Sequence, residues 1–210
     1  MKTGIYTISD YLKELSSKEP VPGGGGVAAL AAALGVALAN MVCSLTVGKK
    51  RYLEYEKDIK RIIETAKQRQ DEFLAFADED AAAFLPLSKA YSMPKETEEE
   101  KKARSDVMQK ALRDAAEVPF KLIHTCADSV ELFEELLIKG SVLAMSDVGV
   151  GAQMLVAAAH GAILNVFINT KLMDDKEYVQ QMNEQATSLV EAVEVRLNAV
   201  IDEVTRKVKA

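Results

Sequence analysis

The chain has 210 residues, of which 49% are hydrophobic, 28% charged and 6% aromatic, with no Trp. That length and balance suit one globular domain, residues 1–210, with a core of its own. A formal net charge of −6 and a pI near 5.1 exclude a general nucleic-acid binder, whose surface would carry a basic patch.

Residues 7–16 read as a short helix. Thr7 and Asp10 have capping spacing, and Ile8, Tyr11, Leu12 and Leu15 make one apolar face. Pro20-Val21-Pro22-Gly23-Gly24-Gly25-Gly26 follows, holding four of the chain's 11 glycines in a row. A flexible linker is the plain account of such a run. The framing prolines and the apolar segment behind it favour another: a loop where backbone amides at a helix N-terminus meet a ligand with no Cβ in the way. A second helix over about residues 26–48 is apolar nearly all round and should be central. Its residues 27–47 approach membrane-spanning length. Gly35, Asn40, Ser44 and Thr46 interrupt them, so a buried helix is expected rather than a membrane span.

A third helix over 51–85 is expected to stop at Pro86. Residues 92–96 form a loop, and Thr97 and Glu100 make a capping box that opens a fourth helix. Pro119 should kink or split that helix, and Gly140 should end it. The fifth helix, 141–169, is again apolar. Asp174 and Glu177 have the spacing to open a last amphipathic helix reaching Lys207, with Tyr178, Met182, Ala186, Leu189, Val193 and Val200 as its stripe. No segment alternates long enough to be a strand. The expected fold is an all-α multi-helix bundle with two central, small-residue-rich apolar helices. Two such helices in one modest chain imply that part of their surface meets another subunit.

Several polar residues interrupt apolar faces. Ile59, Ala66, Phe73 and Asp80 recur every seven residues, so Asp80 occupies a core slot. A buried carboxylate either has a cation beside it or is pushed towards its neutral form, and the second state suits a general acid or base near neutral pH. The spacing leaves both accounts open, and a third in which Asp80 merely points to the edge of the stripe. Asp78 falls on another face, at solvent or at the rim of a site. On the fifth helix Asp147 and Asn165, eighteen residues apart, point the same way, and Asn169 lies one turn further on. With Gly151, Met154, Ala158 and Gly161 near the same stripe, they could line a groove for a planar polar ligand. Helix packing, with Asp147 serving the dipole, is the alternative. His160 lies on the opposite side and suits a hydrogen-bonded core position. Asn40 and Ser44 suit interhelical hydrogen bonds. Lys49, Lys50 and Arg51 complement a helix C-terminus and could also bind a carboxylate-bearing substrate.

Two histidines do not make a zinc site with any nearby partner, so no metal is expected. There is no P-loop, no dinucleotide fingerprint and no nucleophile elbow. Cys43 and Cys126 lie in apolar contexts and suit reduced thiols in the cytoplasm, and residues 1–10 carry no signal-peptide core.

Four ordered motifs carry a resemblance: Pro-Gly-Gly-Gly-Gly-Val-Ala-Ala-Leu (22–30), Leu-Thr-Val-Gly-Lys-Lys-Arg-Tyr (45–52), Asp-Glu-Asp-Ala-Ala-Ala-Phe (78–84), and Ser-Asp-Val-Gly-Val-Gly-Ala (146–152) with Asn-Val-Phe-Ile-Asn (165–169). Over nearly its whole length the chain resembles the formiminotransferase-cyclodeaminase C-terminal family, also called the cyclodeaminase/cyclohydrolase family. The resemblance implies an all-α homodimer acting on a tetrahydrofolate derivative, without the transferase half of the bifunctional animal enzyme. It implies conversion of 5-formimidoyltetrahydrofolate to 5,10-methenyltetrahydrofolate with loss of ammonia, and no metal or cofactor beyond the folate itself. By motif match Asp80 would take the N10 proton and pass it to the departing nitrogen. Asp147, Asn165 and Asn169 would hold the pterin ring or the bridging carbon. Gly23, Gly24, Gly25 and Gly26 would offer backbone amides, and Lys49 and Lys50 would face the anionic tail of a polyglutamylated folate. One departure is that a Ser often stands in the family where this chain has Gly26. The rival activity within the family is methenyltetrahydrofolate cyclohydrolase, which gives 10-formyltetrahydrofolate. A non-catalytic folate-binding or structural helical module is the rival of another class, and a membrane-inserted protein is a third.

Overall fold

A computed structural model describes residues 3–210 as helices and turns, with no strand among the described residues. Six α-helices follow in order: α1 Ile8–Leu15, α2 Gly24–Ser44, α3 Glu56–Tyr91, α4 Glu98–Lys139, α5 Met145–Thr170 and α6 Lys176–Lys209. Short 3-10 turns lie at Thr3–Ile5, Lys50–Tyr55 and Val142–Ala144. The all-α bundle is therefore as expected.

Small residues place α2 and α5 at its centre. Ala28, Ala32, Val36, Ala39 and Val42 on α2, and Ala152, Leu155, Ala159, Ala162 and Val166 on α5, are buried at helical spacing. α2 packs on α3 and α5, and α5 also meets α4 and α6. The two central helices run antiparallel, since Gly24 lies beside Asn165, Ala28 beside Gly161 and Gly35 beside Gly151. Backbones nearly touch at Gly35 and Gly151. A Cβ on Gly35 would stand 2.8 Å from the Gly151 carbonyl oxygen, and one on Gly151 2.9 Å from that of Gly35. Both helices have the length and apolarity of a membrane span, and about half of each is covered inside the bundle (56% and 50%). The rest is an apolar face that includes Val27, Leu34 and Met41 on α2 and Val150, Leu164 and Ile168 on α5.

Helix ends depart from expectation where tertiary packing overrides local signals. α3 passes through Pro86 and continues to Tyr91. Leu87 and Ala90, just beyond the proline, are fully buried, and their burial offsets the one lost backbone bond. Pro119 does not split α4 either, being itself buried within one 42-residue helix. The Thr97–Glu100 capping box is present at its start. α2 begins at Gly24, earlier than expected, so the glycines form its first turn, and it ends at Ser44. Gly48 follows with φ 74°, a left-handed turn that glycine tolerates. 3-10 turns precede α3 and α5, which delays their α-helical starts to Glu56 and Met145. The cap of α6 is Asp175 rather than Asp174: its carboxylate accepts from the Tyr178 N–H at 3.1 Å. On α1 Thr7 caps as expected, yet Ile8 and Leu12 are exposed and only Tyr11 of that face is buried. Ser44 donates to the Asn40 carbonyl of its own helix rather than across helices.

Candidate active site

The antiparallel pairing brings the start of α2 against the end of α5, and α3 closes the third side. Between them lies a cavity of about 220 Å³ lined by Gly23, Gly24, Gly25, Asp80, Asn165 and Asn169, with Phe84 and Ile168 as apolar walls. The loop before α2 contributes Pro20 and Val21, the latter joined to Pro22 by a cis peptide.

Asp80 is held there by the glycine run. Gly23 has no side chain with which to cap α2. The cap comes instead from α3: Asp80 Oδ2 accepts from the Gly26 N–H at 3.1 Å. Gly25 makes this approach possible, because a Cβ on it would fall inside the Asp80 carboxylate. Burial pushes the Asp80 carboxyl above its ordinary value, and the Gly26 N–H opposes that only in part. No cation's charge contributes among the described residues, so the account with a cation beside Asp80 does not hold. Gly25→Ala is expected to push the carboxylate off the Gly26 N–H and lower kcat/KM more than about ten-fold with the fold kept, since misplacement of about 1 Å can cost 100-fold. Steady-state rates beside a thermal melt check it, and a fully active variant contradicts it.

Asn169 spends both of its amide hydrogens on the protein, and Asn165 one of its two. Asn165 Nδ2 donates to the Gly161 carbonyl at 2.8 Å. Asn169, almost fully buried, donates to the carbonyls of Ala115 at 3.0 Å and Asn165 at 2.9 Å, which ties α5 to α4. Their side-chain oxygens remain as acceptors, so the site offers a carboxyl, amide oxygens and helix N-terminal N–H groups around a small cavity.

The other expected site residues lie elsewhere in the chain. Asp147 and Asn165 do share a face, but eighteen residues at about 1.5 Å each set them about 27 Å apart. Asp147 stands in the first turn of α5 and does not reach the cavity of its own chain. Lys49 and Lys50 are exposed beyond the C-terminal end of α2. That end is joined to the start of α5 by the Ser141 N–H bond to Thr46 Oγ1 at 2.8 Å and the Val142 N–H bond to the Tyr52 hydroxyl at 3.1 Å. Asp147, Lys49 and Lys50 thus belong to the opposite pole of the bundle. Gly26 does not line the cavity and acts through its bond to Asp80. Asp78 accepts from the backbone and hydroxyl of Thr3, both at 2.7 Å, and anchors the N-terminal turn. His160 is exposed and lies 3.4 Å from Glu194, not in the core. Cys43 and Cys126 are free and buried, and burial pushes the Cys43 thiol up to about 12. No group of three or more His, Cys, Asp or Glu suited to a metal occurs among the described residues. The walls Phe84 and Ile168 escape the sequence, although Phe84 stands one turn from Asp80. The Tyr11 hydroxyl, which reads there only as part of an apolar face, lies beside Gly26.

The chain matches the family described as formiminotransferase-cyclodeaminase over residues 7–188. It is 37% identical to the methenyltetrahydrofolate cyclohydrolase of Methylorubrum extorquens, over 89% of this chain and 90% of that one. It is 33% identical to the formimidoyltransferase-cyclodeaminase of Sus scrofa, over 91% of this chain but only 36% of that longer protein. The crystal structure of a formiminotetrahydrofolate cyclodeaminase from Thermotoga maritima has the same fold, with a TM-score of 0.81 and 27% identity over 96% of this chain and 98% of that one. The chain therefore belongs to the formiminotransferase-cyclodeaminase family.

Proposed function

We propose that the chain is a folate one-carbon enzyme that converts 5-formimidoyltetrahydrofolate to 5,10-methenyltetrahydrofolate and ammonia. The observation that carries this is Asp80, an unpaired carboxyl raised by burial at the wall of a cavity. N10 of the folate attacks the amidinium carbon on N5, giving a tetrahedral adduct with a proton on N10. Asp80 takes that proton as a base and returns it as an acid to the amino group, which leaves as ammonia while the N5–C–N10 bridge becomes the methenyl cation. Atoms and charge balance without a metal or a redox cofactor. The Asn165 and Asn169 oxygens accept from N–H groups of the pterin, and the amides of Gly24 and Gly25 donate to it.

A homodimer fits this reading. Pockets that enclose a drug-sized ligand run about 300–1,000 Å³, and a cavity of about 220 Å³ covers only part of a folate. Ile168 lines the cavity and also belongs to the exposed apolar face of α2 and α5. A second copy seated on that face would extend the pocket wall. With a two-fold axis perpendicular to these helices, the partner's opposite pole, with Lys49, Lys50 and Asp147 of the partner subunit, would come to the cavity mouth and meet the anionic glutamate tail. A cytoplasmic location suits two buried free thiols.

Identity of 37% along nearly the full length of a methenyltetrahydrofolate cyclohydrolase favours a second reading. There water, deprotonated by Asp80, attacks the same carbon of methenyltetrahydrofolate; the N5–C bond of the adduct then breaks as Asp80 returns the proton to N5 and the adduct hydroxyl loses its own, which leaves 10-formyltetrahydrofolate and one released proton. Supplying each folate in turn separates them. Methenyl absorbance rising from the formimidoyl substrate with equal ammonia supports the deaminase. Enzyme-dependent loss of methenyl absorbance with no reaction of the formimidoyl substrate supports the hydrolase. Inertness towards both overturns the function.

A further inference from the structure

Among the described residues that line the cavity, Asp80 alone can carry a charge, and none is Lys, Arg or His. The helix ends that meet there do not change that sign. The N-terminus of α2 contributes about +0.5 of a charge and the C-terminus of α5, where Asn165, Ile168 and Asn169 stand, about −0.5, so the two cancel. The Gly26 N–H is already spent on the Asp80 carboxylate at 3.1 Å. Lys171, which follows the last turn of α5, is exposed. An ionised Asp80 therefore leaves the cavity negative. Phe84 stands one turn beyond Asp80 on α3, and residues four apart on a helix share a face with Cβ atoms about 5–6 Å apart. It packs against the core and lines the same cavity. Among the described residues its ring belongs to no aromatic pair and has no Lys or Arg over it. The face of such a ring carries partial negative charge and attracts a cation.

We propose that α3 presents Asp80 and Phe84 together as a seat for a planar, delocalised cation, and that Phe84 is a specificity-determining residue of the site. The carboxylate accepts from the N–H edge of such a cation while the ring lies against its face. An amidinium has that shape and charge. The protonated formimidoyl group is an amidinium, and the methenyl bridge shares its charge between N5 and N10 in the same way. A 5-formyl group has the outline of the first without the charge. The site then selects folates by the charge on their one-carbon unit, and Phe84 adds to that selection without touching the transferred proton. The choice of folate as the natural ligand rests on the proposed function; the cation seat does not.

The test titrates the full chain at neutral pH with acetamidinium and with acetamide, which match in shape and differ in charge. Chemical shifts of the Gly25 and Gly26 amides give both Kd values. The wild type is expected to hold acetamidinium at least about ten-fold more tightly than acetamide, the size of a hydrogen bond to a charged group. Asp80→Asn brings that ratio close to one. Phe84→Leu keeps an apolar side chain against the core and lowers the ratio about five-fold, with acetamide binding little changed. Phe84→pentafluorophenylalanine keeps the ring's shape and reverses its quadrupole, so it lowers the ratio at least as far and decides the matter if the Leu variant does not fold. A wild type that binds neither fragment, or both alike, overturns the proposal. So do Phe84 variants that weaken both fragments equally, which is what a packing role alone produces. Turnover of the two folates is read separately. Charge selection by a wild type that turns over neither folate upholds the seat while the functional reading fails. Turnover without charge selection overturns the seat and leaves that reading standing.

Discussion

Asp80→Asn folds, melts above the wild type at neutral pH, and loses about 10²–10⁴ of its kcat, the range set by loss of a general acid–base group. The two effects share one cause. Burial raises the Asp80 carboxyl above its ordinary value, so between that value and the raised one the native state binds more protons than the unfolded chain. Stability contributed by this group therefore falls as pH rises through that window. Asn keeps an oxygen to accept from the Gly26 N–H and carries no charge to desolvate, so it escapes the penalty. Below about pH 4, where an unfolded carboxylate is also protonated, the advantage of the variant fades. Melts at about pH 4 and pH 7 beside steady-state rates check both halves. A variant less stable at pH 7 that turns over at the wild-type rate would remove Asp80 from the chemistry.

Gly35→Ala lowers stability by about 1–3 kcal/mol, the range for overpacking a tight core. One methyl suffices because it meets backbone rather than a flexible side chain, 2.8 Å from the Gly151 carbonyl oxygen, with Met154 Cβ at 3.4 Å. Neither helix can yield locally, since α2 is also pressed on α3 and α5 on α4 and α6. In a chain of this size each kcal/mol moves Tm by about 2–4 °C. Because α2 and α5 also frame the cavity, activity should fall with stability. A variant that melts with the wild type would mean that the crossing is looser than the Gly35–Gly151 approach requires.

The bundle and its central residue were legible in the sequence because both depend on period. Phe73 and Asp80 share a seven-residue spacing, and on α3 that spacing does put Asp80 against the core. The glycine run announced a close approach, and Gly25 makes one to Asp80. Helix ends were less legible because burial beyond a stop signal is not local: Leu87 and Ala90 carry α3 through Pro86. Periodicity also gives an angle and not a distance. Asp147 and Asn165 point the same way from opposite ends of α5, so one pocket of one chain cannot hold both. Tyr11 reads as an apolar face position, and only packing reveals that its hydroxyl lies without a partner beside Gly26.

The central claim is that Asp80 moves the proton that frees ammonia from a bound folate. A single-turnover experiment, with 5-formimidoyltetrahydrofolate bound to excess wild-type or Asp80→Asn protein, counts ammonia and methenyltetrahydrofolate formed per bound folate. The account predicts one of each per folate from the wild type, and from Asp80→Asn a bound folate that releases ammonia at least about 100-fold more slowly. Ammonia released by Asp80→Asn at the wild-type rate would contradict it.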